Sequence, residues 1–401
     1  MKVLWVNTNF LHPTTKGGQI RTLEMLRHLH RRHEIHYVAV EDPSHPEGPA
    51  RATEYATRAY PFRHAFVEKS SPVFAWQLAK SVFESAPVGT SRFHIPALGR
   101  FLEELADREH FDRAVCDFLH PASYFPHIES AVLFQHNVET MIWRRHAEHA
   151  PDPLRRWYFE MQAERMLRHE RSVCQTAGHV VAVSEQDACT MRKLFGMTRG
   201  VSAIPTGVDV ERFSPPSPAP PKTADLVFVG SMDWLPNIDG IHWFVREVLP
   251  RIRRKRPDCV LTIVGRVPPP SITALAEKDS QIQVTGTVAD VRPYLWGSKV
   301  SIVPLRIGGG TRLKIYESMA ARTPVVSTGI GAEGLQINPP ADIRIADSPE
   351  DFADACCELL SDAEACERQG AAAWDMVSAE FSWEHVAACL DRILERAPAY
   401  C

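Results

Sequence analysis

The sequence predicts an α/β protein of two domains, each built around a parallel β-sheet. At 401 residues the chain exceeds what one hydrophobic core usually supports. Short apolar runs alternate with amphipathic helical segments in the first half, and the second half repeats this order. Between the halves lies the run SPPSPAPPK, which is too rich in proline for a helix or a strand. These observations predict two Rossmann-like domains joined by a proline-rich connection.

The first half opens with a buried strand and a glycine-containing loop. Residues Lys2 to Val6 form a continuous apolar run, which is typical of a strand buried on both faces. The next loop carries Lys16, Gly17 and Gly18 and leads into an amphipathic helix that ends near His30. This loop is longer than a dinucleotide-binding turn and contains no G-x-G-x-x-G, so it disfavours an NAD-type site.

A later strand of the first half ends in polar residues. The run from Ala131 to Phe134 predicts a strand, and Gln135 and His136 follow it directly. Open α/β sheets bind ligands just beyond the carboxyl ends of their strands, which makes His136 a candidate site residue. A structural histidine at this position is the alternative interpretation.

The segment 41–95 carries no motif that identifies a ligand. Within it, PVFAWQLAKSVFES predicts an amphipathic helix with an aromatic face that includes Phe74 and Trp76. A buried core face is the favoured interpretation. An exposed face would instead suit a membrane or a greasy acceptor.

The predicted strands of the second half are DLVFVG, CVLTIVG, IQVTG, VSIVPL and PVVST. The last helix begins at Ser382, whose hydroxyl can cap it. We therefore predict a first domain at 1–213, a connection at 214–223, a second domain at 224–381 and a closing helix at 382–401.

The stretch PLRIGGGTRLKIYE, residues 304–317, is the strongest candidate for a ligand loop. An apolar strand runs into Gly308, Gly309 and Gly310, and a helix is predicted to open at about Thr311. Glycines let the backbone approach a ligand closely. A helix start presents unpaired N–H groups and the positive end of its dipole, so we expect an anion there, with phosphate as the first candidate.

The helical register after this loop groups two charged residues. Lys314 and Glu317 are three residues apart and share one face of the predicted helix, whereas Arg312 points elsewhere. One turn rises about 5 Å, which is roughly the distance from a diphosphate to its ribose. A carboxylate there can accept hydrogen bonds from vicinal hydroxyls. An ordinary turn before a core helix is the alternative, and this stretch alone does not decide between them.

Composition excludes several classes of protein. The net charge of -4 does not favour a nucleic-acid partner. The apolar run at the N-terminus is too short for a signal peptide, and no segment approaches the length of a membrane span. The 9 cysteines show no C-x-x-C spacing, which predicts a reducing cytoplasm without disulfides or a zinc site.

Motifs from both halves resemble one known family. They are FVGSMDWLPNIDG, VTGTVADVRPYL, PLRIGGGTRLKIYESMAARTPVVST, GAEGL and FSWEHV, with GGQIRTLEML, QHNVE, AVS and IPTGVDVERF in the first half. In this order they resemble the group 1 glycosyltransferases of family 4, in the subgroup with a GGGTRLK loop before the second glutamate of the E-x7-E motif. The resemblance implies the GT-B fold, in which two Rossmann-like domains face each other across a cleft and the C-terminal helix returns to the first domain.

The resemblance also implies an activity. The chain is expected to transfer a sugar from a UDP- or GDP-linked donor with retention at the anomeric carbon, without a metal or other cofactor. The first domain would select the acceptor, and a glycan, a lipid-linked or a small-molecule acceptor all remain open. We expect a cytoplasmic enzyme, with peripheral contact of the first domain at the inner membrane face as a further option.

Residue roles follow from the same resemblance. Glu317 would hold the ribose, and the backbone around Thr287 and Val288 would read the nucleobase. Gly17 and Gly18 would line the cleft near the diphosphate, and His136 would lie near the donor sugar. Backbone N–H groups of the glycine loop would meet the diphosphate, and this loop comprises Gly308, Gly309, Gly310, Thr311, Arg312 and Leu313.

The sequence departs from the family pattern at two places. Gly309 stands where the first glutamate of the motif is usual, so sugar selectivity cannot be carried over. The loop SMDWLPNIDG lacks the Arg and Lys that family members often supply there. The leaving diphosphate still needs its charge neutralised. We therefore expect Lys314 to take the main role, assisted by Arg266 after the strand CVLTIVG.

Other functions within the same fold remain open at this point. A GT-B epimerase or a sugar phosphorylase would use a related architecture for another reaction. A noncatalytic nucleotide-sugar binding protein is a third reading, and the missing glutamate at Gly309 favours it.

Overall fold

A computed structural model describes residues 1–14, 17–67, 71–82, 84–91, 93–148, 150, 152–198, 200–307 and 313–400. The chain forms two compact units. Unit 1 comprises Met1–Pro205 together with Val386–Cys401, and unit 2 comprises Thr206–His385. Each unit is an α/β domain around one parallel sheet, so the predicted fold class is confirmed.

Unit 1 alternates strands and helices along the chain. Its elements are β1 (Lys2–Asn9), α1 (Gly17–Leu29), β2 (Glu34–Glu41), α2 (Glu47–Ala50), β3 (Arg58–Arg63), α3 (Pro72–Ser81), α4 (Val88–Ser91), α5 (Pro96–Glu109), β4 (Arg113–Asp117), β5 (Val132–Gln135), α6 (Glu139–Glu148), α7 (Pro153–Thr176), β6 (His179–Ala182), α8 (Glu185–Phe195) and β7 (Val201–Ala203).

Unit 2 repeats the alternation, and a final helix follows it. The elements are α9 (Val210–Phe213), β8 (Ala224–Val229), α10 (Leu235–Trp243), α11 (Leu249–Lys255), β9 (Leu261–Val264), α12 (Pro270–Lys278), β10 (Ile282–Val284), α13 (Arg292–Trp296), β11 (Ser298–Val303), α14 (Leu313–Ala320), β12 (Val325–Ser327), β13 (Arg344–Ile345), α15 (Pro349–Ser361), α16 (Ala363–Glu380) and α17 (Trp383–Arg396).

The two sheets share one plan. The strand order is β3-β2-β1-β4-β5-β6-β7 in unit 1 and β10-β9-β8-β11-β12-β13 in unit 2, and the paired strands are parallel. The chain adds successive strands toward one side of the sheet from β1 to β3 and toward the other side from β4 onward, so the order reverses between β1 and β4. The same reversal occurs between β8 and β11 in unit 2. Such switch points leave a crevice beyond the carboxyl ends of the strands, where ligands bind in folds of this type.

Apolar residues on both faces of the strands explain why the sheets are buried. In β8, Leu226 and Phe228 belong to one core cluster, whereas Val227 between them belongs to the cluster on the other face. Helices cover both faces of a parallel sheet, so a continuous apolar run is what such a strand requires. The runs identified in the sequence are these strands.

The passage from unit 1 to unit 2 differs from the predicted position. It falls at Pro205–Thr206, so the predicted boundary at residue 213 and the proline-rich segment 214–223 both lie inside unit 2. Phe213 packs into the core of unit 2, and the indole N–H of Trp374 donates to the Ser214 hydroxyl at 3.0 Å. Apolar burial and these contacts hold the segment to unit 2, which proline content alone does not reveal.

The closing helix α17 returns to unit 1. Its first residues belong to unit 2, where the Ser382 hydroxyl accepts a hydrogen bond from the His385 backbone N–H at 3.2 Å, as the sequence predicted. From Val386 onward it belongs to unit 1, where Asp391 pairs with Arg32 at 2.6 Å and with His33 at 2.7 Å.

The loops after β8 and β9 touch so closely that we predict a stability effect. A Cβ atom on Gly265 would lie 1.9 Å from the carbonyl oxygen of Gly230. Gly265→Ala should lower the free energy of unfolding of unit 2 by about 1–3 kcal/mol, because backbone rather than a flexible side chain must move. Gly286→Ala is the matched control, since φ is +70° there but no atom lies within 4 Å. Thermal unfolding should show the larger loss for Gly265→Ala, and equal losses would contradict the prediction.

Candidate functional site

The switch point of unit 2 brings together the segments that follow β8 and β11. The two strands are neighbours, and Gly230 follows the end of β8 while Pro304 follows the end of β11. The chain beyond Pro304 is the predicted ligand loop. Five predicted diphosphate contacts lie outside the described residues, namely Gly308, Gly309, Gly310, Thr311 and Arg312. Leu313, which follows them, is described; it is buried and begins α14.

Helix α10 holds the start of this loop. Asp239 accepts a hydrogen bond from Nε of Arg306 at 3.0 Å. A Cβ atom on Gly240 would lie 2.6 Å from the carbonyl oxygen of Pro304, so the helix backbone rests directly on the loop. An ion pair and a close backbone contact thus fix where the ligand loop leaves the sheet.

Lys314 lies over the loop after β8. Its ammonium donates to Oδ1 of Asn237 at 2.8 Å and sits 4.6 Å from the centre of the Phe228 ring. A Cβ atom on Gly230 would lie 2.7 Å from Nζ of Lys314. A cation therefore occupies the position beside the loop SMDWLPNIDG, which has no basic residue of its own.

Glu317 lies one turn further along α14 and is half-buried. Burial raises the pKa of its carboxyl group from 4.5 to about 7, while the charges of Lys314 and Arg212 act in the opposite direction. Within the described part of the chain, no N–H or O–H group donates to this carboxyl group. The structure thus brings a cation and a carboxyl group without a hydrogen-bond donor onto adjacent turns of one helix.

Arg266 is engaged with the loop after β8. Its Nε donates to the Ser231 hydroxyl at 2.9 Å, and its terminal nitrogen lies 3.2 Å from the Asp233 carboxylate. Part of its charge is therefore already compensated. The next residue, Val267, has a φ of 50°, which is unusual for a β-branched side chain.

Thr287 and Val288 follow β10, on the outer side of the sheet. Thr287 is exposed, and Val288 packs partly against the core. With β9 between β10 and β8, these residues lie two strand spacings from the switch point, about 10 Å away. This separation suits a nucleobase at one end of an extended nucleotide.

Unit 1 has a polar centre at its own switch point. Asp117, the last residue of β4, is fully buried and accepts four hydrogen bonds. The donors are His136 Nε2 at 2.7 Å, Trp5 Nε1 at 3.0 Å, Asn7 Nδ2 at 2.7 Å and the Thr22 hydroxyl at 2.9 Å. Sequence reasoning missed Asp117, although it is a polar residue at the carboxyl end of an apolar strand, which is the signal that identified His136.

His136 is packed between aromatic rings and the glycine turn. Its ring stacks on Phe118 with centroids 3.8 Å apart. A Cβ atom on Gly18 would lie 2.6 Å from the Phe118 ring and 3.5 Å from His136 Nδ1. Burial is the main cause that lowers the pKa of His136, although Asp117 acts to raise it. Gly17 begins α1, so the structure brings both predicted glycines and His136 to one edge of the sheet.

Comparison with protein families accounts for most of the chain. A model of the family "Glycosyltransferase Family 4" matches residues 15–212, and a model of "Glycosyl transferases group 1" matches residues 223–362. The two regions are consecutive, and they correspond in large part to unit 1 and unit 2.

Individual relatives are more distant. D-inositol 3-phosphate glycosyltransferase 2 of Catenulispora acidiphila is 26% identical over 253 residues, which are 57% of this chain and 58% of that protein. The GDP-mannose-dependent monoacylated alpha-(1-6)-phosphatidylinositol monomannoside mannosyltransferase of Corynebacterium glutamicum is 28% identical over 235 residues, which are 54% of this chain and 61% of that protein. The matched part of the chain thus spans about three fifths of the length of these relatives.

Solved structures match the chain over nearly its whole length. Sucrose-phosphate synthase from Thermosynechococcus elongatus has a TM-score of 0.69 and 17% identity, covering 99% of this chain and 98% of that one. Anabaena HepE, solved with UDP and glucose, has a TM-score of 0.64 and 12% identity, covering 98% and 99%. At such identities the similarity shows the fold alone. Because the two family models match consecutive parts of the chain, the chain belongs to the group 1 and family 4 glycosyltransferases, and the solved structures show that it has the GT-B fold.

Proposed function

We propose that this chain is a retaining, metal-independent glycosyltransferase that moves a hexosyl group from a UDP- or GDP-linked sugar to an acceptor hydroxyl. One observation carries the proposal: Lys314 and Glu317 lie on adjacent turns of α14 beside the switch point of unit 2. A cation suits a diphosphate, and a carboxyl group that accepts no hydrogen bond from the described residues suits the ribose hydroxyls. Family membership and the nucleotide-sugar donor in the name of the mannosyltransferase relative support this reading.

Lys314 is the residue that we assign to the leaving group. As the bond between the anomeric carbon and the diphosphate breaks, negative charge grows on the departing phosphate oxygen. An ammonium already held in place stabilises that charge without reorganising during the reaction. The hydrogen bond from the ammonium to Asn237 orients Lys314 toward the loop after β8. Arg266 shares its charge with Asp233, which leaves it an assisting role.

The remaining assignments concern the sugar and the diphosphate. The glycine loop at 308–313 would supply backbone N–H groups to the diphosphate, because the start of α14 follows it. Thr287 and Val288 would border the nucleobase. Gly17, Gly18 and His136 would contribute from unit 1, with His136 near the donor sugar. Gly309 supplies no carboxylate to the sugar, so sugar choice depends on other residues.

The activity can be tested with labelled donors. A thermal-shift screen of nucleotide sugars comes first, because a bound donor stabilises the folded protein by mass action. The stabilising donor is then incubated with glycan, lipid-linked and small-molecule acceptors. A transferase glycosylates an acceptor or slowly hydrolyses the donor, whereas an epimerase returns an isomeric donor and a binding protein does neither. The absence of transfer and hydrolysis across the panel would refute the proposal.

Lys314→Ala should lower kcat by about 10²–10³-fold, the usual cost of removing one group that stabilises developing negative charge. Lys314→Arg should retain part of the activity because it keeps the charge but changes its geometry. Lys255→Ala is the control, since Lys255 is a solvent-exposed lysine of the same unit that pairs with Asp354. Unchanged donor affinity and turnover in Lys314→Ala would remove Lys314 from the site.

Glu317 should leave a pH signature in stability. Its pKa is raised in the folded state, so the folded protein holds this proton more tightly than the unfolded chain does. The stability that Glu317 contributes is therefore present at low pH and is lost as the pH rises from 4.5 to about 7. Glu317→Gln removes this loss, and its thermal midpoint should rise relative to that of the wild type over this pH range.

Glu350→Gln is the matched control for that measurement. A hydrogen bond from Arg251 lowers the pKa of Glu350, so the stability that Glu350 contributes is lost only as the pH falls below 4.5, and Glu350→Gln should differ from the wild type by a constant amount as the pH rises above 4.5. Parallel pH profiles for wild type and Glu317→Gln would show that the Glu317 carboxyl group is not perturbed in the folded protein.

An apolar surface on unit 1 supports a membrane-proximal acceptor. The ends of α3 and α7 meet where the Ser81 and Tyr158 hydroxyls are 3.1 Å apart. The favoured interpretation of a buried aromatic face is wrong for Trp76, whose exposed fraction is 62%. Among the side chains that the structure describes in these two helices, the large apolar ones that are exposed are Val73, Trp76, Leu154 and Trp157.

Basic residues border this apolar surface. The ammonium of Lys80 lies 5.5 Å from the centre of the Trp76 ring, and Arg155 and Arg156 are exposed beside Trp157. Each of these cations also pairs with a carboxylate, Lys80 with Glu84 at 3.1 Å, Arg155 with Asp152 at 3.4 Å and Arg156 with Glu160 at 3.2 Å. The exposed indole rings, rather than net positive charge, would therefore carry the contact with a lipid surface. No helix in the described ranges is long and apolar enough to cross a bilayer. We therefore include in the proposal a cytoplasmic enzyme that binds peripherally at the inner membrane face.

The double variant Trp76→Ser with Trp157→Ser should weaken binding to vesicles of phosphatidylglycerol and phosphatidylcholine by at least about tenfold, because two large apolar side chains no longer enter the lipid. Vesicle co-sedimentation measures the effect. Leu235→Ser is the control, since Leu235 is a 67% exposed apolar residue of unit 2. Equal binding by the double variant and the wild type would exclude this surface as the membrane contact.

A further inference from the structure

Asp117 joins three segments of unit 1 that are far apart in sequence. Trp5 and Asn7 reach it from β1, Thr22 from α1, and His136 from the loop after β5. Oδ2 receives the bonds from β1 and α1, whereas Oδ1 receives, among the described residues, only the bond from His136. The two oxygens of this buried carboxylate therefore have separate tasks.

The bond to Oδ1 defines the proton position on His136. A carboxylate that is surrounded by donors only accepts, so Nε2 of His136 must carry the hydrogen. Burial of the ring lowers its pKa, which favours the neutral imidazole. Nδ1 then has a lone pair and no hydrogen. In the described part of the chain this buried nitrogen has no hydrogen-bond partner.

The lone pair on Nδ1 faces the glycine turn. A Cβ atom on Gly18 would be in van der Waals contact with Nδ1 at 3.5 Å and would clash with the Phe118 ring at 2.6 Å, so a glycine borders this nitrogen. A buried acceptor without a partner costs free energy unless a ligand or water satisfies it. The geometry therefore presents one hydrogen-bond acceptor to a guest that carries a hydroxyl group.

We propose that Asp117 is a positioning residue that holds His136 as the Nε2–H tautomer, so that Nδ1 accepts a hydrogen bond from a hydroxyl group of the donor sugar. This inference rests on the proposed function for the identity of the guest. Asp117 itself touches neither donor nor acceptor, and it acts through the imidazole. The tautomer is a property of the protein without any ligand.

Asp117→Asn should invert the tautomer and leave the fold in place. The amide oxygen of the new side chain stays with the three donors on the Oδ2 side, because an NH2 group there would face N–H and O–H groups. The NH2 group then occupies the Oδ1 position and donates to Nε2 of His136. His136 must move its hydrogen to Nδ1, which turns the acceptor into a donor.

Nitrogen NMR of protein with isotope-labelled histidine side chains measures directly which ring nitrogen of His136 carries the hydrogen. The chain has 18 histidines, and His136→Gln identifies the signals of His136 by their loss. The wild type should show His136 with Nδ1 unprotonated and Nε2 protonated, and Asp117→Asn should show the reverse. A wild-type His136 that is doubly protonated or protonated at Nδ1 overturns the inference, whether or not the variant folds.

Ligand binding and turnover test the proposed hydrogen bond between Nδ1 of His136 and the donor sugar. Adding UDP-glucose or GDP-mannose, whichever stabilises the protein, should shift the Nδ1 signal, whereas UDP or GDP alone should not. Equal shifts with sugar and sugar-free nucleotide, or no shift, overturn the role of Nδ1. In Asp117→Asn, kcat/KM should fall by about 10- to 100-fold, in line with one lost hydrogen bond to a buried group.

Thr22→Val is the matched control, because it removes one donor from the same carboxylate and leaves the bond to His136. It should keep the His136 tautomer and a kcat/KM within about threefold of wild type, since the bond from His136 to Oδ1 stays in place. An inverted tautomer with unchanged kcat/KM in Asp117→Asn would overturn the positioning role. If the wild type transfers no sugar, the proposed function fails while the tautomer measurement still decides the role of Asp117.

Discussion

The parallel direction of the strands is the constraint on which the rest of this structure depends. All strands of a sheet end at the same edge, so loops that are distant in sequence become neighbours there. At each switch point two adjacent loops turn away from each other and leave room for a ligand. Asp117 and His136 lie at this edge in unit 1, and Gly230 and Lys314 lie at it in unit 2.

Each switch point holds a charged side chain, and the two side chains differ in their burial and in their hydrogen-bond partners. Asp117 is an anion with four donors, fully buried, and so it serves the protein's own architecture. Lys314 is a cation whose amide partner Asn237 is neutral. This hydrogen bond fixes the position of the ammonium beside the loop after β8, where we propose that it meets a ligand. This contrast is why we assign positioning to Asp117 and chemistry to Lys314.

Helix α10 explains how a loop without basic residues can serve the proposed phosphate site. Three of its residues act on the second segment of the switch point: Asn237 holds Lys314, Asp239 holds Arg306, and Gly240 lets the backbone rest on Pro304. The segment SMDWLPNIDG thus positions Lys314 and the start of the ligand loop, whereas other family members often supply basic side chains from this segment. The charge itself comes from α14, on the neighbouring strand's side of the crevice.

Proximity in space also changes the meaning of residues that looked ordinary in the sequence. In the sequence Asp117 is a single carboxylate at the end of a strand, whereas in the structure Trp5, Asn7 and Thr22 all donate hydrogen bonds to it. Trp76 has the spacing of a core residue, yet it is exposed because α3 turns that face to solvent. Hydrophobic spacing along a helix reveals that a face is apolar, but only the neighbouring elements decide what covers that face.

The sequence by itself determined the local features of this protein. Continuous apolar runs predicted the strands, and the helical register put Lys314 and Glu317 on one face, because these patterns depend on residues a few positions apart. Tertiary structure alone decided the contact of Asn237 with Lys314, the four donors of Asp117 and the passage between units at Pro205–Thr206. These depend on segments far apart in the chain, whose meeting is set by strand order and burial, and no local pattern records it.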